Sequence, residues 1–305
     1  MQAANHLTLL DGGMGQELRK RSQQPASPLW SAQVMMDEPE LVMDAHRAFV
    51  AAGADIITTN NYVVTPQRLA RDGDPQWFEP LHKAALEAAQ SVRAEIARPI
   101  RIAGCLPPLV ASYHSDQVPD NATCRRDYAR IVEAQAEGVD LFIAETMSLM
   151  REAVAATRAA KQSGLPVWTA LTVDDHNGGC LRSGESLADA AQAVVDAGAD
   201  AVLINCSAPE AVTTAMPILA KLGAPFGGYA NGFEAAAELK PGGTVDGLKA
   251  RESMTPERYA EHVAHWIDTG ATLIGGCCEI GPAHINALYQ RFGRLLPADA
   301  RPARP

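Results

Sequence analysis

Short apolar runs recur along the chain, each entered through a break of small residues and separated from the next by a longer stretch of helical periodicity. Ala52-Gly53-Ala54-Asp55 leads into Ile56-Ile57-Thr58-Thr59, and Glu137-Gly138-Val139-Asp140 leads into Leu141-Phe142-Ile143-Ala144. Ser163-Gly164-Leu165-Pro166 precedes Val167 to Leu171, and Ala197-Gly198-Ala199-Asp200 precedes Ala201 to Asn205. Leu222-Gly223-Ala224-Pro225 and Thr269-Gly270-Ala271 introduce Phe226 to Ala230 and Thr272 to Gly276. Ala97-Arg98-Pro99 before Ile100 to Gly104, and Leu7 to Leu10 at the front, bring the predicted strands to eight. Glycine in these breaks suits a helix C-terminus that turns into a strand, because it accepts a left-handed backbone at little steric cost.

The intervening segments read as amphipathic helices. Glu40 to Ala51 sets Leu41, Val42, Ala45, Phe49 and Val50 along one face, and Ser186 to Asp196 does the same with Leu187, Ala190, Ala191, Val194 and Val195. Alternating short strands and helices predict an α/β fold with a parallel sheet, and eight repeats predict a closed (β/α)8 TIM barrel over residues 1–296. An open doubly wound sheet is the alternative. The stretches Gly104 to Tyr128 and Gly227 to Met254 are long enough to cover a barrel mouth. Pro297 to Pro305, rich in Pro, Ala and Arg, reads as a disordered tail.

A barrel places its chemistry just past the C-terminal ends of its strands. Those positions here are Asp11, Asn60, Cys105, Glu145, Thr172, Cys206, Asn231 and Cys277, a cluster of acids, amides and thiols. The pair Cys277-Cys278 is the most pointed feature. Neighbouring cysteines cannot easily close on each other as a disulfide, and on a regular strand they face opposite ways. They converge only where a strand ends, and a soft metal ion is the usual object. Cys206 follows an apolar run in the same way. Three thiolates with one tetrahedral position open match a catalytic zinc site held by Cys206, Cys277 and Cys278. Cys124 and Cys180 read as small buried hydrophobes, Cys105 as a residue lining the mouth.

Composition narrows the field further. The chain has 305 residues, 47% hydrophobic and 20% charged, enough for one embellished barrel. A formal net charge of −10 argues against nucleic acid or an anionic membrane as the main partner. No apolar stretch approaches the roughly 20 residues that span a bilayer, and Met1 to Leu10 lacks the layout of a secretion signal. Six cysteines are too sparse for a disulfide scaffold and suit metal or catalytic use in a reducing, cytoplasmic setting.

The run Asp11-Gly12-Gly13-Met14-Gly15 has the wrong spacing for a dinucleotide loop. It reads either as a tight turn or as backbone brought close to a ligand with Asp11 pointing into the mouth. Gly275-Gly276 could cradle phosphate, but the two thiols that follow would repel an anion, which favours metal. Glu145, charged at the end of an apolar strand, suits an ammonium group, as Asp11 does.

Taken together, Asp11-Gly12-Gly13-Met14-Gly15-Gln16-Glu17-Leu18, Thr59-Asn60-Asn61-Tyr62, Ala144-Glu145-Thr146, Ile204-Asn205-Cys206 and Gly275-Gly276-Cys277-Cys278 resemble the homocysteine S-methyltransferases, in that family's order. The resemblance implies a (β/α)8 barrel, Zn2+ held by the three cysteines, and methyl transfer to homocysteine to give methionine. It implies a substrate pocket drawn from Asp11, Gly12, Gly13, Asn60, Tyr62, Glu145, Asn205 and Asn231. The chain length resembles that of compact members using a small methylated onium donor of the S-methylmethionine type, with betaine-like ammonium donors second. The chain departs from the family after the third strand, where Cys105-Leu106-Pro107-Pro108 and Ser112-Tyr113 stand in place of a Ser-x-Gly-Pro segment. Methyl transfer to another thiol or selenol, or a non-catalytic zinc and thiol binder on the same fold, are the alternatives.

Overall fold

The structure, a computed structural model, describes residues 6–25, 27–29, 31–234 and 248–296. Eight parallel strands form the sheet: β1 (Thr8–Leu9), β2 (Ile56–Thr58), β3 (Arg101–Leu106), β4 (Leu141–Met147), β5 (Val167–Leu171), β6 (Ala201–Asn205), β7 (Phe226–Tyr229) and β8 (Leu273–Ile274). Each pairs with its sequence neighbour, and β1 pairs with β8. The remaining seam closes where Leu10 bridges Ile56 in parallel and Asp11 N donates to Ile56 O at 3.0 Å. The sheet is a barrel, as the eight repeats predict, not an open doubly wound sheet.

Alternation along the strands sorts the core into two layers. Leu141 and Ile143 of β4 and Ala201 and Leu203 of β6 point into the barrel with Ala103, Ala170 and Leu273. Their neighbours Phe142, Ala144, Val202 and Ile204 point outward to the helices. The predicted helices are α3 (Pro39–Ala51) and α8 (Leu187–Asp196). Ser186 is not part of α8 but its cap, accepting a hydrogen bond from Asp189 N. At α10 (Pro256–Asp268), Thr255 caps in the same way, with proline in the first turn.

The small-residue breaks have a second purpose besides the turn. Asp55 N donates to Leu9 O at 2.7 Å while its carboxylate accepts from Leu9 N at 2.9 Å. Asp140 grips Ile102 in the same two-way fashion, at 2.8 and 2.7 Å, and Asp200 grips Val167 at 2.7 and 2.8 Å. Each aspartate therefore satisfies both backbone groups of one residue on the preceding strand and fixes the register at the barrel floor. Arg98, Arg93 and Lys161 sit beside the three carboxylates. Gly53, Gly164, Gly198, Gly223 and Gly270 take positive φ, as expected of turn glycines. Gly138 does not. A Cβ there would lie 2.9 Å from the side-chain ends of Leu86 and Gln90, which would have to shift to admit it.

The third βα segment does contribute to the mouth, through Ser112 and Tyr113. Part of the expected lid, residues 235–247, lies outside the described residues, as does the tail 297–305. Among the described residues no helix is long and apolar enough to cross a membrane.

Candidate active site and metal centre

The site is built at the end of the barrel where the inward-facing layer changes from apolar to polar. Continuing the inward alternation of β4 past Leu141 and Ile143 gives Glu145; on β3 it gives Cys105, on β2 Thr58, and on β7 Tyr229. Cys105 and Glu145 thus lie within their strands, not just beyond them as expected. Both strands run longer than the apolar pattern indicates: β3 pairs with β4 through Leu106 and Ala144, and β4 continues past an irregularity in its pairing with β5 between Ala144 and Met147. Thr146 takes φ 60°, unusual for a β-branched residue. Asn205 holds it there: Asn205 Oδ1 accepts from Thr146 N at 2.8 Å and Asn205 Nδ2 donates to Thr146 Oγ1 at 2.9 Å.

Three sulfurs close one side of the cavity. The Sγ atoms of Cys206, Cys277 and Cys278 all lie within 4.8 Å of one another, with Cys206 and Cys278 3.8 Å apart. A tetrahedral ion with bonds of ~2.3 Å to sulfur would separate its ligands by about 3.8 Å. Donor type and spacing both fit a thiophilic metal ion. Hydrogen bonding from the Cys277 and Cys278 thiols pulls the Cys206 thiol well below its usual range, helped by Tyr113 and Arg182. Sharing with Cys206 holds the other two well above theirs. The first of the three thiols therefore ionises readily and the others follow only against accumulated negative charge, which a cation would relieve. Tyr113 Oη lies 2.8 Å from Cys206 Sγ.

The glycines of the first turn serve this centre. A Cβ on Gly13 would fall 2.5 Å from Cys277 O and 2.9 Å from Cys278 Cα, and one on Gly12 would fall 2.1 Å from Ile280 O. The backbone that the turn approaches is that of the cysteine loop, and Asp11, Gly12 and Gly13 line the cavity. Gly275 and Gly276 are likewise needed for close packing on Leu10 and Ile280.

Facing the sulfurs are two carboxylates. Asp11 accepts from Thr58 N at 2.7 Å and Thr58 Oγ1 at 3.2 Å. Glu145 accepts from the Cys105 thiol at 2.9 Å and the Tyr229 hydroxyl at 3.4 Å. Burial pushes both acids up to about 7, and Glu145 adds to the rise at Asp11. Two acids with few cationic neighbours in one cavity call for a positively charged guest. Tyr62, Tyr113, Tyr229 and Phe233 supply aromatic walls, and Asn60 and the Gly12-Gly13 turn complete the lining.

Not every expected residue faces this space. Asn205 spends its amide on Thr146, and Asn231 Oδ1 accepts from Phe233 N at 3.1 Å; neither lines the cavity. Cys105 is buried beneath Glu145 and is not part of the lining. Thr172 bonds to Ser207 and the Cys206 carbonyl behind the metal loop. Cys124 is buried and Cys180 half-buried, both apart from the sulfur cluster. Tyr229 was missed by the sequence reading although it ends an apolar strand, the signal used for the others.

A parallel barrel whose C-terminal mouth carries three sulfurs at metal-ligand spacing and two carboxylates in one cavity has the framework of a barrel enzyme with a candidate metal site. The chain belongs to the homocysteine S-methyltransferase family, whose profile matches residues 8–292. It is 30% identical to homocysteine S-methyltransferase of Escherichia coli K12, over 93% of this chain and 95% of that one. It is 26% identical to a selenocysteine methyltransferase of Astragalus bisulcatus, over 95% and 94% of the two chains. The metallated form of the E. coli homocysteine methyltransferase MmuM superposes with a TM-score of 0.78 at 27% identity, covering 94% of this chain and 96% of that one.

Proposed function

We propose that the protein transfers a methyl group from a small onium donor to the thiolate of homocysteine, giving methionine, with zinc held by Cys206, Cys277 and Cys278. The observation that carries this reading is that three clustered sulfurs and the carboxylates of Asp11 and Glu145 line one cavity. Zinc held by the three cysteines would supply the Lewis acidity that ionises a thiol at neutral pH while keeping its sulfur electron-rich. The chain's own residues do the rest. Asp11 and Glu145 hold the acceptor's ammonium, which fixes its sulfur end towards the cysteines. Thr58, Cys105 and Tyr229 hold the two carboxylates in place. The aromatic walls attract a methylated cation by about 0.5–2 kcal/mol and align it for in-line displacement. The methyl–sulfur bond of the donor breaks as the bond to homocysteine sulfur forms, and the donor leaves as a neutral sulfide, so no general acid is required. The acceptor's thiol proton passes to solvent.

The kinship with a selenocysteine methyltransferase supports a second reading, in which a selenol is the acceptor. Zinc analysis combined with methionine formation from homocysteine and a panel of donors tests the proposal. One zinc per chain and turnover with S-methylmethionine-like sulfonium ions, and more weakly with betaine-like ions, is expected. Turnover with methyltetrahydrofolate and none with any onium compound overturns the donor assignment. Faster turnover of selenocysteine than of homocysteine selects the second reading.

A further inference from the structure

Cys206 occupies a costly conformation. Its φ is 49°, a left-handed backbone that disfavours any residue with a Cβ and persists only where the surroundings impose it. Cys206 N donates to Tyr229 O at 3.2 Å, and the Cys206 carbonyl accepts from Thr172 Oγ1 at 3.4 Å and from the side chain of Arg182. Arg182 lies in the loop after β5, where Val173 and Leu181 bridge antiparallel, and its side chain is only 6% exposed. Its Nε donates to Thr172 Oγ1 at 3.0 Å, and one terminal nitrogen reaches both the Cys206 carbonyl at 3.2 Å and the Asp175 carboxylate at 3.0 Å. Asp175 in turn accepts from Ala208 N at 2.7 Å, so the ion pair grips the turn on both sides of Ser207. The guanidinium also stacks on the Tyr113 ring, 4.5 Å from its centre, and that tyrosine's hydroxyl touches the Cys206 sulfur.

We propose that Arg182 is a positioning residue for the metal centre: it holds the left-handed backbone of Cys206 and the ring of Tyr113 so that the Cys206 sulfur meets those of Cys277 and Cys278. Arg182 does not line the cavity and touches neither acceptor nor donor. Beside the electrostatic pull it exerts on the Cys206 thiol, it sets through these contacts where one of three ligands points. A fork of planar donors is what makes contact with a hydroxyl, a carbonyl and a carboxylate while a flat face rests on an aromatic ring; lysine offers a single point instead. This role rests on the assignment of the three cysteines as metal ligands.

The test is zinc affinity by chelator competition in the full-length protein, for the parent, Arg182→Lys and Arg182→Met, together with the Tm of each metal-free form. Loss of a residue supporting a metal ligand lowers affinity by about 10–100-fold. Arg182→Met is expected in that range, with Arg182→Lys between it and the parent. Cobalt(II) in place of zinc provides a second readout, with altered ligand-field bands in Arg182→Met even when saturated. A fall in metal-free Tm with zinc affinity unchanged in both variants makes Arg182 a packing residue and overturns the proposal. The parent separates the two readings. Zinc retained equally by parent and variants removes the role of Arg182 alone, whereas a parent that binds no zinc removes the metal site and this role with it.

Discussion

Replacing Asn205 with Ala separates the geometry of the site from its chemistry, because Asn205 touches neither sulfur nor cavity yet sets the turn that aims Glu145. The side chain is fully buried and both of its polar atoms are used on Thr146. Asn205→Ala removes two hydrogen bonds; it leaves the Thr146 N–H without a partner, at about 1–3 kcal/mol, and the Thr146 hydroxyl with its remaining contact to Tyr62. It also removes what holds a β-branched residue at φ 60°, a conformation costing roughly 1–2 kcal/mol that the backbone would relax to recover. Some relaxation will recover part of this, so a net loss of about 2–5 kcal/mol is expected. If relaxation carries Glu145 away from the acceptor's ammonium, one charge-assisted contact of about 1.5–3 kcal/mol goes with it, and KM for homocysteine should rise roughly ten- to hundred-fold. Urea unfolding and steady-state kinetics on Asn205→Ala, Thr146→Gly and the double variant measure both effects. Glycine takes φ 60° freely, so Thr146→Gly should recover part of the stability lost in Asn205→Ala, giving a coupling above about 1 kcal/mol. Additivity of the two substitutions within about 0.5 kcal/mol, with KM unchanged in Asn205→Ala, would show that Asn205 does not control the turn.

The acids predict a pH response with a definite sign. Asp11 and Glu145 must be ionised to hold an ammonium, and burial places both at about 7, so homocysteine affinity should rise with pH through that value and flatten in Glu145→Gln. The same raised values mean that the unliganded folded chain binds more protons than the unfolded one between about pH 4 and 7, so its stability should fall as pH rises across that window; urea midpoints at several pH values check this. Cys277→Ser should lose most bound zinc and all methyl transfer, and full zinc content in that variant, read by elemental analysis, would disprove the ligand assignment. At the barrel floor, Asp140→Ala should cost about 1–2 kcal/mol for one unpaired N–H. Asp55→Ala should cost more, because it also takes the carboxylate from the half-buried Arg98 guanidinium; equal losses in the two would show that this ion pair adds nothing. His46 is fully buried and pushed down to about 4 by that burial, so it should contribute stability that is lost as pH falls from about 6.5 towards 4, and an apolar substitution should reduce this acid sensitivity.

The barrel was legible because its grammar is local. A glycine break, an apolar run and an amphipathic stretch repeat with enough fidelity to number the strands, and the strand ends then locate Asp11, Cys206 and Cys277. The bulge at Glu145-Thr146 was not legible, since no residue type announces it and it depends on how β4 meets β5. The family resemblance puts Asn205 in the pocket. Only the three-dimensional partner, Thr146, shows that its amide is engaged elsewhere. Arg182 and Asp175 sit in a polar loop where such residues are expected anyway, and their contacts depend on the turn after β6. The aspartates of the small-residue breaks were visible as a repeat. Their two-way grip on the preceding strand required the sheet.

The packing of Gly12 and Gly13 on the Cys277–Ile280 backbone has a consequence for how the protein is made. The turn after the first strand and the loop carrying two of the three sulfurs complete each other, although 263 positions separate Gln16 and Glu279, which join them at 2.8 Å. During synthesis the N-terminal turn leaves the ribosome long before the cysteine pair does, so it must wait for its counterpart. The centre can assemble only when the ring of strands closes, making metal capture a late event that reports on completion of the whole fold. A nascent chain released early would therefore carry Cys206 without its two partners, and could not acquire the three-sulfur site by any local folding.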